Sequence, residues 1–79
     1  MMVARPVKRS VTIAGHRTSL TLEAEFWDAL AAIARERGMS IARLVAEIDA
    51  SRGEAGLSGA VRVYVLRYLS DLVGSKPRH

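Results

Sequence analysis

Hydrophobic and polar positions alternate in two short stretches near the start of the chain, then give way to a period of three to four. Val11-Thr12-Ile13 alternates first. Residues 17–22 alternate again, with Thr18, Leu20 and Leu22 on one face and Arg17, Ser19 and Thr21 on the other. Ala14-Gly15 separates the two stretches, and across it the apolar parity moves from odd to even positions. A tight turn or a bulge at Gly15 must absorb that change. Residues 23–37 then carry Phe26, Leu30, Ile33 and Ala34 at helical spacing, with Leu22 leading in and Trp27 widening the stripe. Glu23, Glu25 and Asp28 sit where a helix N-terminus favours negative charge. Thr21 is a candidate cap there, and Gly38 is a left-handed stop at the other end. Ser40 is placed to cap a second helix over residues 41–50, with Ile41, Leu44, Val45 and Ile48 inward. After a polar loop over 51–56, Ser58 is placed to cap a third helix reaching Val73. Its apolar stripe is Leu57, Val61, Tyr64, Val65, Tyr68, Leu69 and Leu72.

This order predicts a mainly α protein with one short β-strand at 17–22. A lone strand is unstable and needs a partner for its backbone groups. Within the chain only Val11–Ile13 is at hand, and it is short. A second copy related by a two-fold axis satisfies both chains equally. The expected assembly is an intertwined homodimer with a two-stranded antiparallel ribbon between subunits. Thr18, Leu20 and Leu22 then face the helices, while Arg17, Ser19 and Thr21 of both chains stand exposed. Such a ribbon fits the major groove of double-stranded DNA, where Arg can chelate guanine and Ser or Thr can donate, accept or touch a thymine methyl. One dimer reads few base pairs, so higher-order stacking of dimers on DNA is a further expectation.

Composition narrows the alternatives. Seventy-nine residues make one small domain, and without cysteine no disulfide reinforces it. The two histidines, His16 and His79, lie at opposite ends, so no metal site is expected, and no cofactor. The carboxylates lie on solvated helix faces and no nucleophile stands beside a base, so an enzyme is not expected. No apolar run reaches the roughly 18 residues that cross a bilayer, and residues 10–19 are too polar for a signal peptide. A soluble, cytoplasmic protein without a membrane partner is therefore expected. The formal net charge is +4, and Arg5, Lys8, Arg9 and Arg17 precede the first acid, Glu23. A basic, acid-free arm suits a polyanion, and Lys8 and Arg9 are candidate phosphate contacts. The expected layout is a flexible basic arm at 1–10, a folded domain at 11–73 and a disordered tail at 74–79.

The segments Thr18-Ser19-Leu20-Thr21-Leu22, Glu23-Ala24-Glu25-Phe26-Trp27-Asp28-Ala29-Leu30 and Gly38-Met39-Ser40 resemble, at matching spacing, the ribbon-helix-helix family of bacterial repressors and antitoxins. Gly15-His16-Arg17-Thr18-Ser19, Phe26-Trp27 and Leu57-Ser58-Gly59-Ala60-Val61-Arg62 resemble, more specifically, a branch of short alphaproteobacterial-type proteins of that family, mostly of unassigned role. The match runs from about Lys8 to Leu69. It implies a sequence-specific transcriptional regulator, a repressor, with Arg17, Ser19 and Thr21 reading bases. It also implies that backbone N–H groups at Gly38, Met39 and Ser40 hold a phosphate. The expected dimer core is Leu20, Leu22, Phe26, Leu30, Ile33, Leu44 and Ile48. Two features depart from the family pattern: Glu23 stands where a proline usually begins the first helix, and the third helix is extra. The second helix is favoured as the phosphate-docking one, with the third adding dimer surface. Two other functions compete: an antitoxin that binds its toxin through the third helix, and a protein-interaction module with no DNA target.

Overall fold

The computed structural model describes residues 5–74, so the first four residues of the expected arm and the last five of the expected tail lie outside the described residues. Five elements follow in order: β1 (Pro6–Ile13), β2 (His16–Glu23), α1 (Ala24–Glu36), α2 (Ile41–Ser51) and α3 (Leu57–Val73). The two strands form an antiparallel hairpin within one chain, in register from Pro6 opposite Glu23 to Ile13 opposite His16.

The hairpin corrects the expected strand count: two strands of eight residues pair within the chain where one short strand at 17–22 was expected. Ala14 and Gly15 form a two-residue loop, both with positive φ (52° and 82°). That is the primed turn whose twist matches paired strands, and Gly15 adopts it without a Cβ clash. A two-residue loop pairs odd positions of β1 with even positions of β2. The parity change in the sequence is therefore the signature of the turn. Residues 6–10, expected as part of a flexible arm, are the first five of the eight residues of β1.

Arg9 is why β1 was hard to see. Val7, Arg9, Val11 and Ile13 share the inward parity, and a charged residue breaks that apolar series. In the fold Arg9 lays its guanidinium over the Trp27 ring, 5.0 Å from the centroid. The indole also donates Nε1–H to the Val7 carbonyl at 2.9 Å, which ties β1 to α1.

The three helices cover the inner face of the hairpin. Gly38, at φ 70°, ends α1. The N–H groups of Gly38 and Met39 bond back to Arg35 and Ala34 at 3.1 and 2.9 Å. Ser40 caps α2 by accepting from the Arg43 N–H at 3.1 Å. Two expected caps are different in the structure. Glu23, not Thr21, occupies the N-cap of α1, and its side chain makes no capping bond to the helix N–H groups. Gly56 is the N-cap of α3, so Ser58 lies inside its first turn and donates its hydroxyl to the Thr21 carbonyl at 3.1 Å instead.

Leu20, Leu22, Leu30, Ile33, Leu44 and Ile48, expected in a dimer core, are all at most 5% exposed within the single chain, while Phe26 is half-buried. One chain thus encloses its own core, completed by Ile13, Trp27, Ala34, Val45, Val61 and Val65. The hairpin of the same chain lies over that core. What remains uncovered is on α3. Val63, Leu66, Leu69, Leu72 and Val73 are exposed, the last by 85%. No helix among the described residues is long and apolar enough to cross a membrane.

Candidate nucleic-acid interface

In an antiparallel pair, directly opposite residues project from the same face. The register therefore builds the outer face of the hairpin from three cross-strand pairs: Lys8 with Thr21, Ser10 with Ser19 and Thr12 with Arg17. Five of these side chains are exposed and Thr21 is half-buried. The sequence-predicted Arg17, Ser19 and Thr21 thus share one surface, and Lys8 joins them. Arg9 does not; it lies on the inner face against Trp27.

Ser10 and Thr12 were missed because residues 1–10 read as an arm and 11–13 as a fragment. The turn was the available signal. Once Ala14-Gly15 is a two-residue loop, Thr12 must oppose Arg17 and Ser10 must oppose Ser19.

The acid on this face is held. Glu23 closes the face opposite Pro6, and Arg62 of α3 grips both carboxylate oxygens through Nε and Nη2 at 2.9 and 3.2 Å. Hydrogen bonding from Arg62, with the residue's own backbone N–H and the Arg62 charge, holds the Glu23 carboxyl below the usual glutamate value; partial desolvation opposes this. Arg62 also sits 5.8 Å over the Phe26 ring. The pair cancels a negative charge at the Lys8 end of the face and docks α3 at the end of β2. Because the folded value is depressed, its stabilisation is present above the unfolded glutamate value and is lost as pH falls through the folded one. Glu23→Gln is accordingly expected to flatten the acid side of the stability-pH curve. Equal slopes for the two proteins in urea melts from pH 7 to 3 would discount the pair.

The edges of the sheet are chemically unequal. A two-residue hairpin closes on a hydrogen-bonded pair, here Ile13 and His16, and bonded and non-bonded pairs alternate from there. The N–H and C=O groups of Arg17, Ser19 and Thr21 consequently point away from β1, along the free edge of β2. Ser58 takes one lone pair of the Thr21 carbonyl. On the other edge, β1 begins with Pro6, which has no N–H, followed by exposed Lys8; proline and lysine are features of edges that do not pair.

Around Gly38, Met39 and Ser40 the geometry is narrower than expected. Gly38 and Met39 have already committed their N–H groups to α1 carbonyls. The donors left without a partner among the described residues at the start of α2 are the N–H groups of Ser40, Ile41 and Ala42, since Arg43 is capped by the Ser40 hydroxyl. Arg37, the C-cap of α1, reaches the Tyr64 hydroxyl at 3.0 Å and Glu47 at 3.1 Å, joining α1 to both other helices. Among the described residues, no group of three His, Cys, Asp or Glu side chains is arranged to hold a metal ion.

The comparisons agree with this architecture. No curated protein matches the chain. Among solved structures, an uncharacterized protein from Bordetella pertussis Tohama I is similar, with 35% identity and a TM-score of 0.75 over 94% of this chain. The alignment spans 64% of that longer chain. A family profile described as ribbon-helix-helix domain matches residues 6–69, from the first residue of β1 to within α3. This chain belongs to the ribbon-helix-helix domain family, whose members are generally DNA-binding transcription regulators or antitoxins.

Proposed function

We propose that this protein is a sequence-specific DNA-binding transcriptional regulator of the cytoplasm, a repressor acting by occupancy, and that it works as a homodimer. The observation that carries the reading is the outer face of the hairpin. Six polar side chains stand there in register, two of them cations, and the acid at the end of the face, Glu23, is neutralised by Arg62. Arg17, Ser19 and Thr21 take the base-reading role and backbone contacts set register. The N–H groups of Ser40, Ile41 and Ala42 are the phosphate donors at the start of α2.

The second copy pairs with the free edge of β2, giving a sheet in the order β1-β2-β2′-β1′. It also covers the apolar stripe of α3. That stripe is continuous with the edge, because Ser58 and Arg62 anchor the beginning of α3 to Thr21 and Glu23. Sedimentation should therefore give twice the chain mass. Ser19→Pro removes an N–H that points away from β1, so it should leave the hairpin intact and halve the mass. A folded Ser19→Pro protein that keeps the dimer mass would refute pairing through this edge.

Selection of binding sites from a random duplex pool tests the function directly. A recovered consensus supports it, and salt-sensitive binding without sequence preference refutes the specific part. The antitoxin alternative assigns the α3 stripe to a toxin. It is favoured if hydrogen exchange leaves residues 63–73 unprotected in the dimer.

A further inference from the structure

We infer that β1 is a phosphate-gripping strand, with Lys8, Ser10 and Thr12 holding the backbones that flank the groove read by β2. This inference rests on the DNA-binding reading above and assigns a task to residues that reading leaves idle.

Width comes first. The major groove is about 12 Å wide and admits two strands. Strands lie about 4.8 Å apart, so the outer strands of a β1-β2-β2′-β1′ sheet are about 14 Å from each other. Four strands cannot all enter. With β2 and β2′ central, β1 and β1′ are left above the two lines of phosphates.

The chemistry of β1 suits that position. Lys8, Ser10 and Thr12 are all exposed and all on the outer face. A lysine and two short hydroxyls are phosphate donors, while none of them offers the bidentate fork that Arg17 offers a guanine. The N–H groups of the same three residues point away from β2, because 8, 10 and 12 are the non-bonded positions of the hairpin. Each residue therefore presents a backbone donor at the edge nearest the phosphate as well as its side chain. No acid occurs between Pro6 and Ile13. Pro6 and Lys8 also discourage another strand from adding to this edge, which keeps it open.

The test measures binding of the full chain to its selected duplex and to a random duplex across a salt series, with Lys8→Ala, Lys8→Arg, Ser10→Ala and Thr12→Ala. All three positions are exposed, and thermal melts check that the fold is kept. The expected result is a loss of the same factor on both duplexes for each alanine variant. For Lys8→Ala the salt slope should also fall by about one, and Lys8→Arg should restore it. Variants that change which base is preferred would overturn the inference, since β1 itself would then be in the groove. Variants that bind like the parent would overturn it too, by placing β1 away from DNA, while leaving the reading of β2 standing. If the parent protein binds neither duplex at low salt, the DNA-binding reading itself falls, and this inference with it.

Discussion

Leu44→Ala is expected to leave most of the protein unfolded at 25 °C. Leu44 has no exposed surface and sits in α2 against the core closed by the hairpin. Truncating such a leucine removes its transfer free energy and opens a cavity, costing about 2–5 kcal/mol. A domain below about 80 residues with no disulfide has only about 3–5 kcal/mol to lose. Urea denaturation followed by far-UV circular dichroism measures this. A midpoint close to that of the parent would mean that the surrounding side chains collapse into the space, or that association supplies most of the stability. The second possibility is recognisable, because the melt would then depend strongly on protein concentration.

Arg17→Ala is expected to do the reverse, sparing the fold and removing recognition. Arg17 is exposed and its side chain makes no hydrogen bond or ion pair among the described residues, so its loss should barely move the melt. On the selected duplex it should cost about 1–3 kcal/mol, roughly five-fold to more than a hundred-fold in affinity. On random DNA only one charge is lost, so the change there should be smaller. Arg17→Lys keeps the charge and gives up the planar fork, and it should recover the random-DNA affinity alone. If Arg17→Ala weakened both duplexes equally, Arg17 would be a backbone contact and the assignment of β2 to base reading would fail.

The helices were legible because their signals are local. Leu30, Ile33 and Ala34 recur at helical spacing and Gly38 stops the run, so α1 lies within a residue of its expected bounds at each end. Ser40 caps α2 as its type and position suggested. The hairpin was harder because its evidence is spread across two segments, and Arg9 disguises the inward series of β1. The position takes a cation because Arg9 stays exposed and lays its guanidinium over the ring of Trp27, distant in sequence. The core closes within one chain because β1 adds Ile13, with Val7 and Val11 packed beside it, to the face that Leu20 and Leu22 already present to the helices.

Ser58 and Arg62 show a different limit. Serine at the start of a helical stripe is ordinarily a cap, and local pattern cannot reveal that the Thr21 carbonyl lies within its reach. Arg62 is one of several arginines on the surface, and nothing near it in sequence points to Glu23, 39 residues away. Both contacts exist because α3 crosses the end of the hairpin. That crossing is a tertiary fact, fixed by Val61 and Val65 entering a core built by other elements.

The chain's single tryptophan carries an intrinsic optical probe at the one place where it is most useful. Its indole is buried, held between a strand carbonyl and a guanidinium. Any tug on that strand must disturb the dipoles around the ring, so emission colour and lifetime can follow docking in real time without a dye.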